Sequence, residues 1–416
     1  MKDKYFLPQT IGKCLGCGHK LPGAFLDLGE MPLANSYLEP KKKDKAESLY
    51  RLAVAYCPEC HLVQITHRVN PEKLYGNYLY FSSYSDAFVK HSAAMAESLT
   101  RQFTLDANSL VMEIASNDGY LLQFFKQKGI PILGIEPAKN IAKVAVEKGI
   151  PTLNKFFGPE SVDEILKEKG QADIIIGNNV LAHVPLINDF LSSVGKCLKS
   201  TGSAVFEFPY LKDLLDHTEF DTIYHEHIFY YSLSAIKILA ERAGLELYEA
   251  SRQDIHGGSL RVFLQKEGRN KVSANVKRIL LEEEEFGITD KSLYLDFAAK
   301  VEKLKAKLVG LLKELKSKGN TIAAYGAAAK GNTLLNYMRI DNNVIDFVVD
   351  RSTHKHGFLL PGSKIPVLDT DELLKRMPDY TMILAWNFAE EILAQQDEYR
   401  KRGGKFIIPI PEMRVV

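Results

Sequence analysis

Two cysteine pairs pin the first sixty residues of this chain to one point. Cys14-x2-Cys17 and Cys57-x2-Cys60 share a spacing in which each pair makes a tight turn and aims two sulfurs the same way. In a reducing compartment such doubled knuckles are metal sites far more often than disulfides. Four thiolates at this spacing suit tetrahedral zinc, and Gly16, Gly18 and Pro58 supply the turn residues. A fully cysteine-ligated ion keeps no open position, so its expected role is structural. His19 and His61 flank the knuckles as spare ligands that four sulfurs make unnecessary. Cys197, alone in an apolar helical pattern, reads as a small core residue.

At 416 residues the chain is too long for one core, and its pattern divides into an α/β architecture of several parts. Residues 1–75 form the expected zinc-binding module, with the run Lys41-Lys42-Lys43-Asp44-Lys45 as a solvated loop. Residues 76–271 alternate short apolar runs with amphipathic helices, the signature of a parallel, Rossmann-like sheet. Strands are predicted at 109–114, 132–136, 173–177 and 204–208, closed by a hairpin of 246–251 with 259–265. Residues 272–318 read as a helical connector, carrying Glu282-Glu283-Glu284-Glu285 and a leucine face of Leu304, Leu308, Leu311, Leu312 and Leu315. Residues 319–416 repeat the α/β pattern as a second Rossmann-like domain.

Lys plus Arg (53) nearly balances Asp plus Glu (52), which argues against a general nucleic-acid binder. The start of the chain has no apolar core of signal-peptide length, and no apolar run is long enough for a bilayer, so the expected location is cytoplasmic, with no membrane partner.

A strand carrying Glu113, the small-residue turn Ala115-Ser116-Asn117-Asp118-Gly119, and a second strand ending in Glu136 outline a cofactor pocket at the carboxyl ends of the strands. Asn178, ending a later strand, opens onto the same side. The acid at 136 can accept both ribose hydroxyls. Such a pattern serves NAD or S-adenosylmethionine, and two details favour the latter. The turn lacks the GxGxxG that a pyrophosphate needs, and the Glu113 carboxylate suits a cationic amino-acid tail. Farther along, Tyr224-His225-Glu226-His227 sets together four side chains that can carry, donate or accept a proton. A buried strand has no use for such a run, whereas a loop at the mouth of an α/β sheet can use it for proton transfer. If the segment is extended, His225 points opposite His227 and is structural.

The knuckles, the Glu-x-x-x-Asn-Asp-Gly turn, Asn178-Asn179-Val180-Leu181-Ala182-His183-Val184, the Tyr-His-Glu-His run, His256-Gly257-Gly258-Ser259-Leu260-Arg261 and Tyr325-Gly326-Ala327-Ala328-Ala329-Lys330-Gly331 occur in one order. That ordered set resembles the zinc-containing, S-adenosylmethionine-dependent C-methyltransferases of unusual deoxysugar biosynthesis, over essentially the whole chain. The resemblance implies that the middle domain is a class I methyltransferase domain. The C-terminal domain then helps hold a nucleotide-linked keto-sugar, usually on thymidine diphosphate. It also implies His227 as the base that removes a proton beside the ketone, and Tyr78 as a substrate contact. Tyr224 is expected to hydrogen-bond the enolate or a sugar hydroxyl, Glu226 to orient an imidazole or bind the sugar, and His183 to donate to the keto oxygen. Where Ala115 stands, the family often has glycine.

The 325–331 turn opens a helix, a natural anion site, with Lys330 adding charge towards a diphosphate and Asp350 placed like a ribose-binding acid. His256 either binds phosphate or shapes a turn, and Trp386-Asn387 either lines the cleft or leaves the tryptophan in the core. N- or O-methylation of a similar sugar, and a non-catalytic zinc-bearing binding protein, are the alternatives. Sugar, ring carbon, stereochemistry and oligomeric state, a monomer included, stay open.

Overall fold

A computed structural model describes residues 9–70, 74, 82–84, 86–255 and 257–416, so the expectations for Tyr78 and His256 lie outside the described residues. In the N-terminal part, β1 (Leu26–Met31), β2 (Tyr50–Tyr56) and β3 (Val63–Ile65) pair antiparallel in chain order. The last five residues of β2 are buried, and the Cys57 knuckle follows its final residue directly. The lysine-rich run starts in a short 3-10 turn whose Lys41 and Lys42 pair with Glu39 at the surface.

The middle part opens with α1 (Asp86–Phe103), then β4 (Val111–Ile114), β5 (Ile132–Ile135), β6 (Thr152–Leu153) and β7 (Ala172–Asn178). After α2 (Ile187–Cys197) come β8 (Leu198–Pro209), β9 (Phe229–Tyr230), α3 (Leu233–Arg242), β10 (Leu245–Gln253) and β11 (Ser259–Lys266). Seven of these strands form one sheet in the order β10-β11-β8-β7-β4-β5-β6. The central pairs are parallel, and only β11 runs against its two neighbours, making the expected hairpin with β10. Ile174, Ile175 and Ile176 of β7 are all fully buried, as a strand covered on both faces requires. Strand order reverses between β4 and β7, so the crevice for a ligand opens where Glu113 to Gly119 and Asn178 leave the sheet.

β9 leaves that sheet. It pairs antiparallel with β3, Phe229 opposite Gln64 and Tyr230 opposite Val63, and becomes the fourth strand of the N-terminal sheet. Nothing in the local sequence announces this crossing.

The connector is α4 (Ala274–Phe286) and α5 (Lys291–Ser317). Leu304, Leu308, Leu312 and Leu315 are buried, as their spacing predicts. The glutamate run behaves otherwise. Glu283 is fully buried and accepts hydrogen bonds from the Leu233 and Ser234 N–H groups (2.5 and 2.9 Å), Ser234 Oγ (2.5 Å) and Tyr210 Oη (2.8 Å). It therefore caps the start of α3 from another helix, satisfying donors that have no partner inside α3 itself.

In the C-terminal part β12 (Ile322–Tyr325), α6 (Ala329–Met338), β13 (Phe347–Val349), β14 (Val367–Leu368), β15 (Tyr380–Ile383), β16 (Lys405–Ile408) and β17 (Arg414–Val415) build a second sheet. Its order is β14-β13-β12-β15-β16-β17, parallel except for β17. A Cβ on Gly331 would stand 2.7 Å from that of Leu384, so only glycine lets α6 lie this close to the sheet. Among the described residues no helix is long and apolar enough to cross a membrane.

Candidate active site

The sulfurs of Cys14, Cys17, Cys57 and Cys60 all lie within 4.8 Å of one another, and none is in a disulfide. Zinc–sulfur bonds of about 2.3 Å in a tetrahedron set sulfurs about 3.8 Å apart, close to the 3.5 Å between Cys14 and Cys60 and between Cys17 and Cys57. The donor set fits zinc. His61 is turned away from it, its Nδ1 hydrogen-bonded to Tyr56 Oη at 2.6 Å.

At the reversal point of the middle sheet, Glu113 is fully buried and neither carboxylate oxygen has a hydrogen-bond partner among the described residues. Burial pushes its pKa well above the usual carboxylate range, with the nearby Tyr120 hydroxyl opposing. Folding alone does not account for a buried acid of this kind. The orphaned carboxylate fits the cationic ammonium group of the methionyl end of S-adenosylmethionine. Asn178, also buried, offers a second unpartnered oxygen, Oδ1, while its Nδ2 meets Met95 Sδ at 3.5 Å.

The turn between these strands is held from behind. Glu136 accepts the Asn117 N–H at 3.0 Å and the Ala138 N–H at 2.8 Å. Each of its oxygens thus keeps one further lone pair for a ribose. The Asn117 side chain is committed to the fold, its Oδ1 taking the Ser82 and Asp118 N–H groups at 2.9 and 3.0 Å. Ala115, Asn117 and Gly119 lie at φ 54°, 50° and 79°, the left-handed region. There lies a reason for glycine at position 115: a Cβ in this conformation costs about 1–2 kcal/mol.

Tyr224 to His227 form a turn, the His227 N–H donating to the Tyr224 carbonyl at 2.9 Å, where an extended segment was one expectation. His225 nevertheless faces away. It is buried against β2 and donates from Nε2 to the Tyr50 carbonyl at 3.1 Å, with burial lowering its pKa to about 4. His227 Nδ1 lies 3.2 Å from the Thr222 carbonyl, and Nε2 lies 2.6 Å from Tyr224 Oη. A carbonyl only accepts, so Nδ1 carries the proton, and the Nε2 lone pair accepts from the tyrosine.

His183, on a 3-10 turn after β7, brings its ring to 4.8 Å from that of His227 and donates from Nδ1 to the Glu226 carbonyl at 2.9 Å. Burial drops its pKa to about 4. In that neutral tautomer Nε2 is an acceptor, which does not suit the donor role expected of His183. Glu226 is 3% exposed, and burial lifts its pKa to about 7 against the hydrogen bond from Asn35. That bond, Asn35 Nδ2 to Oε1 at 2.7 Å, comes from the loop after β1. The same loop touches the C-terminal domain, where Tyr37 Oη donates to the Ala327 carbonyl at 2.5 Å and Asn332 Nδ2 to the Ala34 carbonyl at 2.6 Å.

Two residues singled out in the C-terminal domain have partners inside the protein. Asp350 accepts from the Ala327 N–H (2.7 Å) and Lys355 Nζ (3.3 Å) on Oδ2 and from the Ser352 N–H (2.7 Å) on Oδ1. Lys330 donates to Asn387 Oδ1 at 2.6 Å and lies 4.4 Å over the Trp386 ring, with Asp221 and Glu219 as its countercharges. Its charge is answered within the protein. Beside His256, a Cβ on Gly257 would fall 2.8 Å from a Glu219 oxygen, and one on Gly258 still closer to Asp213.

Sequence reasoning missed Asn35 and Tyr37, which reach the site from a distant segment, and Asp221, which stands three residues before Tyr224. It also missed Glu207, an acid inside the apolar strand β8. Burial works against its charge, yet His91 Nε2 at 2.7 Å and Arg261 Nε at 2.9 Å together hold its carboxyl below the usual range. A lone glutamate in a buried strand was the available signal.

Three families match the chain in order: a zinc binding domain over residues 14–75, a methyltransferase domain over 87–250, and a C-methyltransferase C-terminal domain over 254–411. C-methyltransferase NovU of Streptomyces niveus is 35% identical over 409 residues, covering 98% of this chain and 97% of its own. Among solved structures, magnesium protoporphyrin IX methyltransferase (ChlM) of Synechocystis PCC 6803 with bound SAM aligns over 47% of this chain and 89% of its own, at 14% identity and a TM-score of 0.33. The PH0226 protein of Pyrococcus horikoshii OT3 aligns over 47% and 99%, at 13% identity and a TM-score of 0.38. Likenesses that low bear no weight.

Proposed function

Because this chain belongs to the S-adenosylmethionine-dependent C-methyltransferases with an N-terminal zinc-binding module, we propose that it methylates a carbon beside the ketone of a nucleotide-linked keto-deoxysugar. Thymidine diphosphate is the expected carrier. The observation that supports this reading is the tautomer of His227, whose Nδ1 faces the Thr222 carbonyl and whose Nε2 lone pair faces Tyr224. Carbon methylation needs a base as well as a methyl donor, and a neutral imidazole with a directed lone pair is such a base.

His227 Nε2 takes the proton from the carbon beside the ketone, and the imidazole becomes cationic. Tyr224 Oη, which donates to Nε2 beforehand, turns its O–H to the enolate oxygen, stabilising the charge as it develops. His183 holds the turn through the Glu226 carbonyl, and its Nε2 accepts from a sugar hydroxyl. Glu226, oriented by Asn35, binds a second hydroxyl as acceptor or donor, since its pKa lies near 7. Loss of that proton leaves the carbon beside the ketone nucleophilic towards a methyl donor. When bound, S-adenosylmethionine supplies that methyl on a positively charged sulfur. Glu113, Ala115, Asn117, Gly119, Glu136 and Asn178 would hold it. Tyr78 is retained as a substrate contact. Zinc on the four thiolates holds residues 1–75 together, 76–271 carry cofactor and base, 272–318 connect, and 319–416 complete the sugar-nucleotide cleft.

The test is incubation with S-adenosylmethionine and a panel of nucleotide keto-sugars, with NMR locating the new carbon–carbon bond. His227→Asn should lower turnover by about 10²–10⁴-fold while cofactor affinity, measured by calorimetry, stays the same. Exchange of the acidic sugar proton with solvent deuterium should vanish with it. A folded His227→Asn protein that binds both ligands and turns over normally would end the assignment.

A further inference from the structure

The Thr222 carbonyl that faces His227 is itself held from another domain. Phe220 to Thr222 form a single 3-10 turn, Asp221 at its middle is fully buried, and its Oδ2 accepts from Trp386 Nε1 at 2.8 Å. Trp386 starts the turn after β15 in the C-terminal domain. The Phe220 ring also packs on Tyr337 of α6, centroids 5.3 Å apart. Two contacts thus fasten this turn to the C-terminal domain, one polar and one apolar. Lys330 Nζ lies 4.4 Å over the face of the same indole, with Asp221 among its countercharges. From the turn the chain runs directly to Tyr224, and the Thr222 carbonyl comes back to His227 Nδ1.

The consequence is chemical. An imidazole beside a carbonyl keeps its proton on the facing nitrogen and its lone pair on the other. Were the carbonyl to swing away, both neutral tautomers would become accessible, and one of them carries a proton on Nε2 and cannot accept another there. We propose that Trp386 and Asp221 are positioning residues that lock the 220–222 turn and so set the tautomer of His227, making the C-terminal domain part of the base as well as part of the sugar cleft. The catalytic part of this inference rests on His227 as base; the structural part does not.

The test uses the full chain labelled with 15N-histidine. Long-range 15N–1H spectra, with His227 assigned by its loss in His227→Asn, report which ring nitrogen carries the proton. Wild type should show His227 protonated on Nδ1. Trp386→Phe keeps the ring and removes the donor. It should give a mixed tautomer and a kcat lower by about ten- to a hundredfold, with S-adenosylmethionine affinity unchanged. Asp221→Asn, whose amide oxygen still accepts from the indole, should restore wild-type spectra and near-normal kcat. Should Trp386→Phe not fold, Asp221→Val removes acceptor and buried charge together and gives the same readout. A folded Trp386→Phe or Asp221→Val protein with the wild-type tautomer and unchanged kcat overturns the proposal. A tautomer shift upholds the clamp even if His227→Asn proves active, which would defeat only the reading of His227 as base.

Discussion

The molecule contains two sheets whose strand order reverses at the same kind of crevice, and the acids Glu113 and Asp350 beside them are partnered differently. In the middle domain the acid at the crevice, Glu113, is buried with neither oxygen hydrogen-bonded among the described residues. In the C-terminal domain the acid at the crevice, Asp350, accepts two backbone N–H groups and a lysine. Lys355 also donates to the Ala327 carbonyl at 2.8 Å, and Tyr37 reaches that same carbonyl from the N-terminal part. One crevice leaves its polar groups for a ligand to complete. In the other, Asp350 is held by a lysine as well as by backbone N–H groups, and its domain also carries Trp386. Shared topology therefore does not mean shared use, and the polar groups left over identify the ligand site.

The sharpest test of this contrast is Glu113→Gln. Losing a charge-assisted bond should weaken S-adenosylmethionine binding by about ten- to a hundredfold in calorimetry, while the cofactor-free protein becomes more stable. The pH dependence has a definite sign. Because burial raises the folded pKa of Glu113, its favourable contribution is complete below the unfolded carboxylate pKa and is lost as pH rises through the folded value. Thermal melting of wild type minus Glu113→Gln, scanned from acid to neutral pH, should show that decline. A flat difference would mean that the carboxylate has a partner in the fold.

Asp350→Ala should do the reverse, costing about 1–3 kcal/mol of stability by orphaning the Ala327 and Ser352 N–H groups and leaving cofactor affinity unchanged. Loss of nucleotide affinity in that variant, or NAD binding by the wild type, would break the contrast. Glu136→Gln should weaken S-adenosylmethionine binding by about tenfold, less than the change at Glu113, since an amide oxygen still accepts one of the two turn N–H groups. The smallest effect is expected at Ala115→Gly. Relief of a left-handed φ there should add about 1 kcal/mol of stability at most, seen as a small rise in melting temperature with cofactor affinity retained.

Much of the architecture was legible because it is local. Continuous apolar runs such as Ile174-Ile175-Ile176 announce buried parallel strands, and the CxxC pairs announce four converging sulfurs. The Tyr-His-Glu-His run likewise announces titratable groups in one place, although the turn that directs Nδ1 of His227 to Thr222 has no local mark. What stayed illegible are contacts between segments far apart in the chain. Asn35 meets Glu226 across 191 residues and Asp221 meets Trp386 across 165, and no periodicity encodes such pairs. The partners of Asp350 were illegible for a related reason. Its position matches a ribose-binding acid, and only the fold reveals that Ala327, Ser352 and Lys355 already use it.

The departure of β9 from its own sheet also sets a timetable. During synthesis the N-terminal sheet has its first three strands by residue 65, yet its fourth is residues 229–230, and Ile65 N–H waits for the Ile228 carbonyl at 2.9 Å. Until then β3 is an open edge, able to pair with a neighbouring chain. A fragment ending near residue 75 would carry that edge permanently. The N-terminal module is therefore written first and finished late, and the segment that seals it is the one that follows the 224–227 turn.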